Sequence, residues 1–442
     1  MAIVKPFCAL RYDPKITQTP MSAVICPPYD VITPTMQQAL YDKSPYNVIR
    51  VELGQQNESD TLGNDRYSRA AATLNNWMRD RVIRLDEEQC FYLYEQTFDI
   101  ASGGASRSRV VTRRGIFGAI KLEPFGTGSV FPHEETFGGP KADRLKLMQA
   151  CSAMLSPVFG LAPDENNVLA ELLKKGGQQQ APNIEIVEEN GIINKLWAIS
   201  NQEWCRAVAD ELRPRNIYIA DGHHRYETAC SYRNERRQTD HDPDGKLDRD
   251  YNYGLMLCVP MSDSGLYILP THRLIQAAPS ISKETFLNAA AELFEQRLTT
   301  ENDLLAIAEE EQGSIKFGVI FKDETHMILT ARPSVVAAMN KSAPKKSDAW
   351  RRLDVSVLQE LILKNALKLS EEKVLRKEGI SYTPNTKQAI TEVTAQDSRY
   401  ALGFILRPTP INQVVAMQGE KMPQKSTFFY PKLLTGLALM KL

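Results

Sequence analysis

The stretch Tyr218-Ile219-Ala220-Asp221-Gly222-His223-His224-Arg225-Tyr226-Glu227-Thr228-Ala229 constrains this 442-residue chain more than any other. Its apolar start reads as the end of a buried strand, and residues 226–237 have the spacing of a helix. Asp221-Gly222 is then the turn between them. Glycine opens backbone conformations closed to other residues and lets a ligand approach the main chain, while the first amides of a helix have no partners within it. Such a turn favours an anion. His223, His224 and Arg225 add side-chain donors at the same point, and the helix dipole favours negative charge there. The chemistry that fits is a phosphate or nucleotide site held by Gly222, His224, Arg225 and Thr228.

Two other readings stand beside it. The same residues serve as a plain polar connection between a strand and a helix. Two histidines and an aspartate are also metal ligands, but adjacent histidines diverge in most backbones. No Cys or His pair elsewhere has structural zinc spacing, so no built-in metal is expected.

The stretch resembles the Asp-Gly-His-His-Arg turn of the ParB and sulfiredoxin-like superfamily, whose members bind nucleotide phosphates at a strand, turn and helix N-terminus. Its nearest functional relatives by that resemblance are the free serine kinases. Nearly end to end, the chain also resembles a bacterial and archaeal family catalogued as a domain of unknown function. The stretches that carry this are Cys26-Pro27-Pro28-Tyr29-Asp30-Val31-Ile32, Ser44-Pro45-Tyr46-Asn47-Val48-Ile49-Arg50, Pro132-His133-Glu134-Glu135-Thr136 with Asp143-Arg144-Leu145, the central turn, and Met422-Pro423-Gln424-Lys425-Ser426-Thr427 with Tyr430-Pro431-Lys432. The fold implied is mixed α/β. It comprises an N-terminal region over 1–110, a ParB/sulfiredoxin-like nucleotide-binding core over 111–280, and a C-terminal α/β unit over 281–442.

The whole chain sets outer bounds. Its length exceeds one ordinary core, so two or three substructures of about 150 residues are expected. With 43% hydrophobic and 24% charged residues it reads as a globular protein, and a net charge of -1 argues against a dedicated nucleic-acid coat. Seven cysteines without paired spacing argue against a disulfide scaffold and for a reducing cytoplasm. No apolar stretch approaches the roughly 20 residues needed to span a bilayer, and the first residues lack the pattern of a signal peptide. A cytoplasmic protein without a membrane partner is expected.

Before the turn, Pro27-Pro28 fixes an extended backbone that aims Tyr29 and Asp30, either towards a substrate or as a rigid cap of a helix near Thr33-Pro34. Residues 47–53 alternate as a strand that leaves Glu52 towards solvent or a pocket. Residues 65–81 have helical spacing, and 90–100 and 110–122 read as strands. The cluster Arg107, Arg109, Arg113 and Arg114, leading into and along the second, invites a nucleic-acid reading and more simply suits a charged edge strand. The loop Pro132-His133-Glu134-Glu135-Thr136-Phe137-Gly138-Gly139-Pro140 delivers His133 and Glu134 to a site or places acidic groups at a helix start. Residues 164–175 read as a helix stopped by Gly176-Gly177, and 202–212 as another.

Beyond the turn, residues 239–245 read as a solvated polar loop, and 252–259 and 266–269 as strands. Pro270-Thr271-His272-Arg273 puts a second His-Arg pair at a strand end. Residues 283–296 and 348–368 have helical spacing, the latter unbroken. Lys425-Ser426-Thr427 resembles the end of a Walker A sequence, although Met422-Pro423-Gln424 replaces its glycine-rich loop.

The resemblance to free serine kinases implies a phosphotransferase that uses ATP or ADP with Mg2+ on a small hydroxylated molecule, free L-serine first. It implies Glu134 as the base, with Glu135 second, and catalytic places for Asp221, His223 and His224. Magnesium belongs near Asp221. Arg273, Lys425, Ser426 and Thr427 join the phosphate site, and Tyr29, Asp30, His133, Glu135 and His272 the substrate. The partners are then a nucleotide and a small molecule, with nucleic acid disfavoured and a homo-oligomer compatible. The contrasting reading is a ParB-like nucleotide-binding or DNA-associated regulator without kinase activity. A regulator of that kind carries a helix-turn-helix after the nucleotide module, where this chain shows strands. A sulfiredoxin-like activity calls for cysteine at the turn, where His223 and His224 stand.

Overall fold

The computed structural model describes all residues except 105–107, 136–138, 278–281, 311–312, 377 and 418. Arg107 and the Thr136–Gly138 part of the His133 loop therefore lie outside the described residues.

Apolar residues along Phe91–Asp99 and Val110–Lys121 build a long antiparallel hairpin, with Tyr92 opposite Phe117 and Asp99 opposite Val110. A nine-stranded sheet grows from it in the order Val130–Pro132, Ile217–Asp221, Val158–Ala162, Tyr253–Pro260, Val110–Lys121, Phe91–Asp99, Ile193–Ile199, Ile184–Val187, with Val4–Lys5 paired beside Val110–Lys121. The strand ending at Asp221 is parallel to one neighbour and antiparallel to the other. It is buried along Ile217–Ala220, as its apolar sequence requires.

A second, six-stranded sheet is antiparallel throughout: Phe294–Leu298, His326–Ala331, Lys316–Phe321, Tyr400–Ile405, His272–Gln276, Ile380–Thr383. Strand alternation sends Phe317, Val319 and Phe321 into one core and Ile320 into another. The chain then returns to the core of the first sheet, where its last strands form two smaller sheets. Phe428–Tyr430 pairs with Tyr267–Leu269, and Leu439–Lys441 lies between Ala9–Tyr12 and Ala153–Met154. Among the described residues no helix is long and apolar enough to cross a membrane.

The fold is mixed α/β, as expected, but several elements differ from the reading of the sequence. Residues 47–53 are no strand: Ile49–Glu52 is a helical turn, because the Asn47 side chain accepts from the Ile49 amide at 3.0 Å and donates to the carbonyls of Ala23 and Ile25. Glu52 is consequently buried beside Arg144 and Ser156 rather than solvated. The helix Val168–Gln178 runs through both glycines. At Gly176 a Cβ would stand 2.7 Å from the Trp204 ring, so glycine is there for contact rather than termination. The helix from 283 stops at Ala290, and Phe294–Leu298 becomes an edge strand by pairing with His326–Ala331. Residues 348–368 break at the extended Leu353, where Arg407 takes the Asp354 carboxylate at 2.7 and 3.0 Å, and continue as wide π-helical turns.

The arginine-rich strand is also not an edge. Val110–Lys121 sits inside the nine-stranded sheet, and Arg113 is 2% exposed. Its guanidinium donates to the Tyr430 carbonyl at 3.1 Å, the Pro431 carbonyl at 2.6 Å and the Gln96 side chain, and it lies 4.9 Å from the Phe159 ring centre. Arg114 pairs with Glu95 at 2.7 Å. Removing a buried partner strands several acceptors, so Arg113→Ala is expected to destabilise the protein by about 3 kcal/mol. Chemical denaturation followed by tryptophan fluorescence measures this.

Candidate functional site

The expected strand, turn and helix are present, with the helix beginning earlier than its apolar spacing suggested. Ile217–Asp221 ends in a register shift, Gly222 follows at φ +88°, and His223–Thr239 is one helix. That φ lies where only glycine is relaxed, and Gly222 caps the helix without a side chain. A Cβ there would also stand 2.8 Å from the Arg225 Nε.

Arg225 does not reach outward from the turn. It is buried, donates to the Pro157 carbonyl, and lies 3.6 Å from Asp221 Oδ1. It borders a cavity lined by Glu52, Arg144, Ser156 and Thr228, where the Thr228 hydroxyl has no hydrogen-bond partner among the described residues. Asp221 accepts from Lys432 Nζ at 2.9 Å. Burial alone would raise the Asp221 carboxyl, but Lys432, Arg225 and Lys425 outweigh it and hold the group well below the usual carboxylate range.

The loop of residues 132–135 meets this turn directly. The His133 amide donates to His223 Nε2 at 3.2 Å, and the two rings lie 4.8 Å apart. His133 donates from Nδ1 to the Ile219 carbonyl and accepts at Nε2 from Thr427 at 2.8 Å. Burial and the neighbouring His133 push His223 well below the usual histidine range, so its ring is neutral, with Nε2 as the acceptor.

Backbone bonds tie the same loop to the C-terminal segment. Met422 donates to the His133 carbonyl at 2.8 Å, and Glu135 donates to the Met422 carbonyl at 3.0 Å. Glu134 is thereby fixed beside Met422, on the segment that carries Lys425. Its Oε2 is buried, 3.9 Å from His133 Nε2, and without a hydrogen-bond partner among the described residues. Burial works against the Lys425 ammonium, yet Glu134, Asp30 and Asp221 outweigh it and raise its pKa. Lys425 holds φ +60°, a strained conformation for a side chain of that size.

Arg273 joins from the second sheet. Its guanidinium donates to the carbonyls of Thr271 and Lys425, the latter at 3.1 Å. Tyr29 stands under the Arg144 guanidinium at 4.3 Å, with its phenol pushed up to about 12 by burial, and Asp30 is exposed. Glu135 faces Lys346 at 3.8 Å, and His224 is partly exposed on the first helical turn.

Three side chains named from the sequence have other duties. His272 is fully buried, bonding Thr386 at 2.9 Å through Nε2 and accepting from the Leu406 amide at 3.2 Å through Nδ1, so no ring nitrogen remains for a substrate. Ser426 donates to the Pro423 carbonyl instead of a phosphate or metal. Thr427 serves His133. Lys432 on Asp221, Arg144 over Tyr29 and Tyr382, whose ring centre lies 5.6 Å from the Arg273 guanidinium, are site residues that the sequence reading does not assign a role, although Lys432 and Arg144 both lie within recognised stretches.

Among the described residues no three His, Cys, Asp or Glu side chains converge to hold a metal. Asp221 offers one oxygen, Oδ1, whose nearest ionic partner is the 3.6 Å contact to Arg225. A magnesium ion arriving on phosphates needs one or two carboxylates, so this oxygen fits it.

Fold and site together define a mixed α/β protein whose nine-stranded and six-stranded sheets both contribute to one charged centre. The chain belongs to the family described as Protein of unknown function (DUF1015), which matches residues 4–356. That membership agrees with the resemblance read from the sequence, and the match takes in every stretch that carries it except Met422–Thr427 with Tyr430–Lys432. A conserved hypothetical protein from Pyrococcus furiosus is similar in structure at 13% identity and TM-score 0.34, over 71% of this chain and 91% of that one. A free serine kinase in complex with AMP is similar at 11% identity and TM-score 0.32, over 68% of this chain and 83% of that one. A mutant of a free serine kinase in complex with ADP gives 12% and 0.33, over 68% and 84%. These likenesses are too distant to carry an argument about the site. No curated protein matches the sequence.

Two measurements check the site's physical description. Gly222→Ala is expected to lower stability by about 1–2 kcal/mol, through the positive φ and the Arg225 contact, as read by thermal melting. His272 is pulled down to about 3 by burial and by Arg273. The unfolded chain takes up this proton near pH ~6.5 and the folded one does not. Stability is therefore complete above that pH and falls as pH drops towards 3, by up to ~1.4 kcal/mol per unit. Denaturation midpoints between pH 7 and 5 should show the fall, and His272→Gln should flatten it.

Proposed function

We propose that this protein is a phosphotransferase that moves the terminal phosphoryl group of ATP or ADP to the hydroxyl of a small metabolite, with free L-serine as the first acceptor to test. One observation carries the reading: an unpartnered buried carboxylate oxygen, Glu134 Oε2, follows His133, whose amide is bonded to His223 on the first turn of the helix after Gly222, and its charge acts on Lys425. Phosphoryl transfer needs anion binding, charge neutralisation and a proton acceptor, and these groups supply all three. L-serine comes from the motif resemblance to free serine kinases.

In this mechanism the amides of the turn hold the donor's phosphates, and Lys425 offsets their charge. Glu134 Oε2 accepts the proton of the acceptor hydroxyl. As the new oxygen–phosphorus bond forms, the bond to the leaving nucleotide oxygen breaks. Neutral His223 supports the His133 backbone and so fixes the direction of Glu134. Asp221 Oδ1 is the residue atom suited to a magnesium ion carried in by the nucleotide, which supplies further neutralisation of phosphate charge. Lys432 limits how far Asp221 can turn.

The test is incubation of the purified protein with ATP or ADP, magnesium and single hydroxylated metabolites, with phosphoester product measured alongside nucleotide loss. Glu134→Gln is expected to reduce turnover about 10²–10⁴-fold, while the dissociation constant for ADP changes little. Lys425→Met is expected to weaken ADP binding as well. Full turnover by Glu134→Gln, or nucleotide loss that needs no acceptor, overturns the proposal.

A further inference from the structure

The second sheet brings an arginine and a tyrosine to the charged centre as a built pair. Arg273 on His272–Gln276 lies directly opposite Tyr382 on Ile380–Thr383, and its guanidinium carbon is 5.6 Å from the phenol ring centre. Arg273 is 3% exposed, and its Nη1 and Nη2 bonds to the carbonyls of Thr271 and Lys425 hold the group in place. A guanidinium has five N–H donors, so these two bonds leave others for a ligand. Tyr382 is partly exposed and can therefore be reached.

The polar atoms around this pair lack partners. Thr271 Oγ1 and Gln424 Oε1, on residues 4% and 8% exposed, make no hydrogen bond among the described residues, and neither does Glu134 Oε2. Thr271 supplies the carbonyl that Arg273 grips, Gln424 precedes the Lys425 whose carbonyl it also grips, and Glu134 lies beside Met422 in a parallel bridge. A buried polar atom left without a partner opposes folding unless a ligand or water meets it. Three on adjoining segments, next to a held guanidinium, describe a place left open for a polar guest.

We propose that Arg273 and Tyr382 form a subsite for the carboxylate of the acceptor, with Gln424 and Thr271 receiving the acceptor's ammonium group, so that the second sheet selects what the first sheet phosphorylates. This rests on the phosphotransferase reading above. The chemistry is that of a free hydroxy-amino acid. The carboxylate meets cationic and phenolic donors, the ammonium meets neutral oxygens, and the hydroxyl falls to Glu134. The same donors suit a donor phosphate, which is the competing source of negative charge.

The experiment uses the full-length protein, its Arg273→Lys and Tyr382→Phe variants, and acceptors in matched pairs with and without a carboxylate: L-serine and ethanolamine, L-threonine and 1-amino-2-propanol, L-homoserine and 3-aminopropanol. The expected result is that at least one carboxylate-bearing member is turned over more than tenfold better than its partner. Both variants should raise its KM at least tenfold, with the ADP dissociation constant within twofold of wild type. Equal use of both members of every pair overturns the subsite, and so does an equal loss of ADP affinity in the variants, which assigns the pair to the donor. If no acceptor is phosphorylated, the phosphotransferase reading fails by itself. Thermal shift then decides the subsite. A rise in Tm with a carboxylate-bearing amino acid in the wild type but not in Tyr382→Phe sustains it, and no rise with any of them overturns it.

Discussion

The buried guanidinium of Arg113 is what the arrangement of the site depends on. It holds the carbonyls of Tyr430 and Pro431 against the middle of the nine-stranded sheet. A charge of that size inside a core is costly unless its donors are used, and here two backbone carbonyls and Gln96 use them. The segment so anchored is the one that presents Lys425, Thr427 and Lys432. From it Thr427 reaches His133 and Lys432 reaches Asp221, so one internal tether orders both sides of the turn.

This explains why the charged centre belongs to neither sheet alone. The first sheet contributes the turn and the Glu134 loop, the second contributes Arg273 and Tyr382, and the returning chain is bonded to both. Strand alternation assigns the neighbours on His272–Gln276 to opposite sides. Arg273 meets Lys425, and His272 is enclosed by Thr386 and the Leu406 amide. Two adjacent residues of one motif therefore have unrelated roles.

Local chemistry was legible in the sequence where it is local in space. Asp221-Gly222 marked a turn correctly, because a glycine at positive φ and the helix it starts are set by a few consecutive residues. Asn47 misled, since its side-chain bond to the Ile49 amide converts an alternating pattern into a helical turn, and that bond is invisible to periodicity. Arg113 misled for a different reason: whether a strand is central or at an edge depends on strand order, which no single segment encodes. The contact of His133 with His223 spans 90 positions and that with Thr427 spans 294, so their proximity came only from resemblance and not from spacing. Tyr382 gave no signal at all, as it acquires a role solely by facing Arg273 across two strands.

The return of residues 428–441 to the core of the first sheet has a consequence for biosynthesis. While the polypeptide is still emerging from the ribosome, the nine-stranded sheet has all its strands once Pro260 is made, yet Asp221 lacks Lys432 and His133 lacks Thr427 until residues 427–432 follow. The centre is therefore assembled after the first sheet, and a nascent or prematurely terminated polypeptide carries the turn without Lys425 and Lys432.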